Sequence, residues 1–263
     1  MTPKSGDPEI LDHMPADRRS LPLRAWLATP DWVFRALGAV LFLGLIATSA
    51  HAYIEGFWRH GTYYEFDSGL VVWIPWRILV DATYLLIAIS FIFRLPPRVR
   101  SANAREIVLP FIAAFWPFLP LVAKAIVGLW SEAWNVRFES WLWNPEKWAG
   151  PIFLVGSAFI VVGNLLDVWG YGTLFRSLSI SAEARELKVT GPYRIVRHPI
   201  YLGQILAQGG IWLFYARTHL VWIVFYACFV ALQLYRSRIE DGVLERAFGD
   251  RYRAWKKKTF WFV

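Results

Sequence analysis

Apolar residues along the chain are gathered into long uninterrupted runs rather than into the short alternating patterns of soluble domains. A helix needs roughly 20 apolar residues to cross the hydrocarbon core of a bilayer. Six segments approach this length, and they cover approximately residues 32–53, 70–93, 107–129, 148–169, 200–215 and 219–235. The pattern therefore predicts an all-α, polytopic transmembrane helix bundle of about six spans.

Two local features modify this simple bundle. The fifth and sixth runs are separated only by Arg217, Thr218 and their neighbours, which predicts a tight helical hairpin. The third run contains Pro110, Pro117 and Pro120. Proline removes a backbone donor and clashes with the preceding turn, so we expect this span to bend.

The charges between the runs alternate in a regular way. Residues 94–105 and 170–199 and the C-terminus are rich in Arg and Lys, whereas residues 54–69 and 130–147 are mixed or acidic. Basic loops favour the cytosolic side of a membrane. Six spans with both termini in the cytosol satisfy this rule, and residues 1–30 are interpreted as a flexible cytosolic tail. The membrane would be a bacterial inner membrane or an endomembrane.

Composition supports a membrane protein. The chain of 263 residues is 56% hydrophobic, with a mean hydropathy of +0.36, a net charge of +8 and a pI near 9.7. The basic residues lie between apolar runs, which suits lipid headgroups better than nucleic acid. The single cysteine, Cys228, lies within an apolar run and excludes an intramolecular disulfide or a cysteine-based metal site.

Some polar residues lie within the predicted spans. Asp81 would be costly if it faced lipid. Lys124 is a possible partner, and the pair could form either a buried polar site or a structural ion pair. Asn164 and Asp167, late in the fourth run, could line the opening of a cavity on the cytosolic side.

A basic, proline-containing segment directly precedes the fifth run. Gly191–Pro192 predicts a turn, and Pro199 is placed for the first turn of a helix. His198 and Tyr201 would then lie at a helix N-terminus, where free N–H groups favour an anionic group such as a carboxylate. Arg, His and Tyr are also typical membrane-interface anchors, and spacing alone does not separate the two interpretations.

The C-terminal segment has its own pattern. Val243, Leu244, Ala247 and Phe248 recur at helical spacing, which predicts an amphipathic interfacial helix lying on the membrane. The adjacent acids Glu240 and Asp241 lie where the sixth run ends, near Arg236 and Arg238. Taken alone, they could be an ordinary surface ion pair.

Together these two segments resemble the integral-membrane methyltransferases, which include isoprenylcysteine carboxyl methyltransferases and phospholipid methyltransferases. The family pattern is Gly-x-Tyr, Arg-His-Pro-x-Tyr-x-Gly, a pair of helices, Glu-Glu-x-x-Leu and Phe-Gly-x-x-Tyr. This chain has GPYRIVRHPIYLG at 191–203 and LERAFGDRYRAW at 244–255. It departs from the pattern at Asp241, where a second glutamate is expected. The resemblance covers residues 170–263, interpreted as the methyltransferase core, whereas residues 31–169 form a four-span region without a match.

The resemblance implies an S-adenosylmethionine-dependent methyltransferase that acts on a lipophilic or membrane-presented carboxyl, amine or thiol. Arg236 matches a catalytic, substrate-orienting position, and no metal is implied. The implied cofactor-binding residues are Glu186, Leu187, Lys188, Tyr193, Arg197, His198, Pro199, Ile200, Tyr201, Glu240 and Asp241. Expected partners are membrane lipids and the lipophilic substrate, with no nucleic acid. Two alternatives stay open: a nicotinamide-dependent membrane reductase of related fold, and a non-catalytic membrane protein.

Overall fold

The protein is an all-α membrane helix bundle, as the sequence predicts. A computed structural model describes residues 28–60, 73–142, 151–216 and 219–262. The helices are α1 (Asp31–His60), α2 (Trp73–Phe93), α3 (Ala104–Phe115), α4 (Leu119–Trp130), α5 (Glu132–Leu142), α6 (Pro151–Leu174), α7 (Pro199–Ala216) and α8 (Val221–Lys256). The predicted tail lies almost wholly outside the described residues.

Within the described ranges, three stretches are long and apolar enough to cross a membrane. They are Asp31–Thr48, Ala104–Trp130 and Leu154–Ser177, and Ile78–Phe93 is a shorter apolar helix. The first three coincide with the predicted first, third and fourth spans. The total of six spans and the cytosolic location of both termini stay predictions.

The third predicted span is interrupted at one of its three prolines, and the predicted bend stays a prediction. A short 3-10 turn at Trp116–Phe118 contains Pro117 and separates α3 from α4. The start of α3 is capped, because the Glu106 N–H donates to Asn103 Oδ1 over 3.0 Å. The Glu106 carboxylate accepts in return from the Ala102 N–H over 2.6 Å.

Helices α6 and α7 pack closely through glycine. A Cβ atom at Gly163 would lie 2.4 Å from the backbone nitrogen of Ala207. A Cβ at Gly203 would lie 2.3 Å from Asp167 Oδ1 and 2.8 Å from the Gly163 carbonyl. Small residues at such positions allow two membrane helices to approach backbone to backbone. Because α7 begins directly after His198, this contact fixes the position of the basic segment relative to α6.

The predicted hairpin of α7 and α8 is confirmed, although its tip at residues 217–218 lies outside the described residues. Trp212 of α7 and Trp222 of α8 stack with ring centroids 5.1 Å apart. The Tyr226 hydroxyl donates to the Ile205 carbonyl over 2.8 Å. These contacts align the two helices, so that the beginning of α7 lies beside the charged part of α8.

The predicted sixth span and the predicted C-terminal helix form one helix. Helix α8 continues from Val221 to Lys256 and is interrupted only at Gly249, which has a left-handed φ of 52°. Its apolar residues Val243, Leu244, Ala247 and Phe248 were predicted to face the membrane surface. In the structure they belong to a cluster with Ala182 and Ala184 of the loop before α7. This helical face is therefore covered by the protein itself.

Candidate active site

A cavity lies where the end of α6, the loop that follows it, the start of α7 and the middle of α8 meet. All but two of the predicted site residues line it. These residues are Glu186, Leu187, Lys188, Tyr193, Arg197, His198, Ile200, Tyr201, Arg236 and Glu240. Asn164 and Asp167, which were predicted as possible cavity residues, do not line it. The Asn164 amide instead donates to the Ile160 carbonyl over 2.8 Å.

The two halves of the sequence motif meet in this cavity. His198 Nδ1 lies 3.6 Å from Glu240 Oε2. The Tyr201 hydroxyl donates a hydrogen bond to Glu240 Oε1. The rings of His198 and Tyr201 stack with centroids 5.3 Å apart. A carboxylate from α8 is thus held against the first turn of α7.

Asp241 and Pro199 do not line the cavity, in contrast to the direct cofactor contact predicted for them. Pro199 is fully buried in the first turn of α7. Asp241 lies behind the cavity wall, where it accepts hydrogen bonds from Arg197 Nη1 over 2.6 Å and from His198 Nε2 over 2.7 Å. The Tyr252 hydroxyl also donates to it. Asp241 therefore positions two residues that do line the cavity.

The surroundings of Asp241 favour its ionised form. Burial alone would raise its pKa, but the hydrogen bond and charge of His198, the hydrogen bond from Tyr252 and the charge of Arg197 outweigh burial. Together they hold the pKa of Asp241 below its usual range. A lasting negative charge at this position keeps Arg197 and His198 in place.

The C-terminal segment supports the basic segment from behind, which sequence reasoning missed. The Arg197 N–H donates to the Phe260 carbonyl over 2.9 Å, and the Phe260 N–H donates to the Ile195 carbonyl over 2.8 Å. The Trp261 ring lies 5.2 Å from His198, and its Nε1 donates to Ser237 Oγ over 2.7 Å. The residues that follow α8 show no helical or strand periodicity, so the sequence did not predict these contacts.

Trp255 was also missed, although it lines the cavity. Its indole N–H donates to the Tyr193 carbonyl over 3.0 Å. This bond joins the part of α8 beyond Gly249 to the Gly191–Pro192 turn, where Gly191 has a left-handed φ of 57°. The cavity therefore has an aromatic wall made from both motif halves.

Arg236 is buried at the cavity and is only partly bonded. Its guanidinium carbon lies 4.8 Å from the centroid of the Tyr201 ring, and its Nη2 donates to the Ile180 carbonyl over 3.0 Å. Among the described residues, neither Arg236 Nε nor the hydroxyl of Ser177 has a hydrogen-bond partner. Leaving such buried polar atoms unbonded is costly, so both are suited to a polar ligand in the cavity.

A buried charge network also borders the cavity, and sequence reasoning missed it. Glu183 Oε2 accepts from Arg185 Nη2 over 2.7 Å and from Ser179 Oγ over 3.1 Å. Arg185 and Arg94 both approach Asp31 of α1, at 3.6 Å and 2.7 Å. Burial, opposed by the charge of Glu183, lowers the pKa of Arg185 to about 10. The network connects α1 and Arg94 to the loop between α6 and α7 that lines the cavity.

Comparison with known families agrees with this geometry. Residues 148–251 match the family model described as phospholipid methyltransferase. The matched segment contains the cavity loop, His198, Arg236 and Glu240, and it ends before Trp255 and Trp261. The resemblance inferred from the sequence is confirmed, because this segment matches a model of the membrane methyltransferase family that includes the isoprenylcysteine carboxyl methyltransferases. A search of curated proteins finds no match to the chain.

Proposed function

We propose that the protein transfers a methyl group from S-adenosylmethionine to a lipophilic, membrane-presented acceptor. The family match supports a membrane methyltransferase. The identity of the methyl donor and the class of the acceptor go beyond the family match and are part of the proposal. The observation that carries the proposal is that His198 and Glu240, from the two motif halves, line one cavity with 3.6 Å between their nearest nitrogen and oxygen.

The cavity residues suit the chemical groups of this cofactor. The cavity lining combines aromatic and apolar side chains with a small number of charged groups, which is the usual composition of a small-molecule site. The carboxylate of Glu240 would offset the ammonium of the methionine moiety. Tyr193 and Trp255 offer aromatic surface for the adenine ring, and Lys188 offers a positive charge near the mouth of the cavity. The bound cofactor would supply a methyl group activated on a sulfonium.

The protein's part in such a reaction is to hold, orient and exclude water. Methyl transfer to a nucleophile needs an in-line approach, so alignment supplies much of the rate advantage. Arg236 directs an unbonded Nε–H from a buried position and would orient an oxygen of the acceptor. Asp241 holds His198 and Arg197, and Tyr201 holds Glu240.

The cavity has a charged loop on one side and apolar helices on the other, which suits one polar and one apolar reactant. Its loop side carries Glu186 and Lys188, which are joined by a 2.7 Å ion pair. Its other side is built from helices α6 and α7. A polar donor would enter from the water side and an apolar acceptor from the lipid side. A carboxyl, amine or thiol would each be a chemically possible acceptor group.

A comparison of two cofactors tests the proposal. Purified protein in detergent is heated with S-adenosylmethionine or with a reduced nicotinamide dinucleotide, and the melting temperature is recorded. A ligand at 100 times its Kd stabilises the folded state by about 2.7 kcal/mol. We expect S-adenosylmethionine to raise the melting temperature and to label membrane extracts with its methyl group. Stabilisation by the nicotinamide cofactor alone would favour the reductase alternative and contradict the proposal.

A further inference from the structure

A second cavity lies beside the candidate active site. Helices α1 and α3 form much of its apolar lining, through Leu37, Leu41, Phe111 and Phe115. Ile180, from the loop before α7, also lines it. Both helices lie outside the segment that matches the methyltransferase family, which begins at residue 148. The part of the chain before the matched segment therefore supplies most of the residues that line this cavity, and the loop of residues 179–183 supplies the rest.

The two cavities meet at the loop of residues 179–183. Ser179 and Glu183 line both of them. Ile180 lines the second cavity, and its carbonyl accepts the 3.0 Å hydrogen bond from Arg236, which lines the first. A molecule that filled the second cavity would thus contact the loop whose Ile180 carbonyl accepts a hydrogen bond from the candidate catalytic arginine.

The second cavity has an apolar side and a polar end. Arg94, Ser181 and Glu183 lie at the polar end, beside the ion network. On the apolar side, Leu37 and Leu41 are 63% and 40% exposed on a helix that is apolar enough to span a membrane. Such side chains face hydrocarbon in a bilayer, so the apolar side is accessible from lipid.

We propose that this second cavity holds the apolar chain of the methyl acceptor, an acyl or prenyl chain, with the reactive group directed to the loop of residues 179–183 beside Arg236. The inference rests on the proposed function and adds where the acceptor binds. An apolar wall next to a few polar groups is the usual composition of a site for an amphipathic small molecule. The N-terminal helices would then determine which lipophilic acceptor is accepted.

Photo-crosslinking tests this placement without methyl transfer. The purified protein is labelled with a palmitic acid probe or a farnesyl probe, each carrying a diazirine and an alkyne, and crosslinked peptides are identified by mass spectrometry. We expect labelling in both α1 and α3 that excess unlabelled chain of one class abolishes. The class that competes distinguishes an acyl from a prenyl acceptor. Labelling that no chain competes with, or that falls elsewhere, would overturn the inference.

A matched pair of variants sharpens the test. Leu41→Trp places a larger side chain in the second cavity, whereas Leu43→Trp changes an exposed residue of the same helix that does not line it. We expect Leu41→Trp to weaken the competed labelling by at least about tenfold and Leu43→Trp to leave it unchanged. Equal effects would overturn the inference. S-adenosylmethionine affinity, measured on the same proteins, tests the proposed function separately, because the donor cavity is untouched.

Discussion

Replacing Asp241 by Asn tests how the site is held together. The substitution keeps the size of the side chain and removes its charge. In the structure this carboxylate is almost fully buried and accepts from Arg197, His198 and Tyr252. After the change, the buried Arg197 guanidinium would lose its closest anionic partner, which lies 2.6 Å away.

The expected magnitude follows from burial. Breaking a buried ion pair by removing one partner costs about 3–5 kcal/mol, because an uncompensated charge is left inside the protein. We therefore expect the free energy of unfolding of Asp241→Asn to fall by about 3 kcal/mol or more at neutral pH. Loss of 1.4 kcal/mol in the positioning of His198 would weaken donor binding about tenfold. Asp241→Glu keeps the charge and should recover part of both losses.

The pH dependence has a defined sign. The pKa of Asp241 is lowered in the folded protein, so its stabilisation is fully present above the unfolded value of about 3.9. It is lost as the pH falls through the folded pKa. The stability difference between wild type and Asp241→Asn should therefore be constant near neutral pH and shrink below about pH 4.

Thermal unfolding in detergent between pH 3 and pH 7, with donor affinity measured by calorimetry, gives the required readouts. Asp250→Asn is the control, because Asp250 lies on the same helix and its side chain is 98% exposed. We expect its effect to stay within about 0.5 kcal/mol. A variant of Asp241 that matched this control in stability and donor affinity would refute the positioning role.

Two further variants test neighbouring parts of the account. Gly203→Ala would place a Cβ atom 2.3 Å from Asp167 Oδ1, so we expect a loss of about 1–3 kcal/mol in thermal unfolding. Gly172→Ala, where a Cβ meets nothing within 4 Å, should be neutral or slightly stabilising, and equal effects would contradict the close packing of α6 and α7. Arg236→Lys should reduce labelled-methyl transfer to membrane extracts by more than about tenfold while donor affinity changes little. Unchanged transfer would argue against the orienting role of Arg236.

The sequence predicted the parts of the molecule that are marked by a local residue pattern or by a motif. The prolines of the third span indicated that its helix is interrupted, and the short gap between the fifth and sixth runs indicated the hairpin. The hairpin explains why His198 and Glu240 could be predicted to meet, because the part of α8 before Glu240 is about as long as α7 and returns the chain to the level from which it started.

Other parts of the site depend on contacts that leave no trace in a local pattern. Asp31 and Arg185 lie far apart in the sequence. Only the packing of α1 against the bundle brings their side chains together. Trp261 supports His198 through ring contact rather than through helical spacing. Asp241 was predicted to contact the cofactor because it stands where the family pattern has its second glutamate. Successive residues of a helix point in different directions, and Asp241 therefore turns away from the cavity that Glu240 faces.

Donor affinity in two isosteric variants tests the central claim most directly. Glu240→Gln removes the carboxylate that would offset the donor's ammonium, and Glu245→Gln removes a partly exposed carboxylate of the same helix that does not line the cavity. Calorimetry with S-adenosylmethionine should show a Kd at least about tenfold weaker for Glu240→Gln and unchanged for Glu245→Gln. Wild-type affinity in Glu240→Gln would contradict the claim that His198 and Glu240 hold one methyl donor between them.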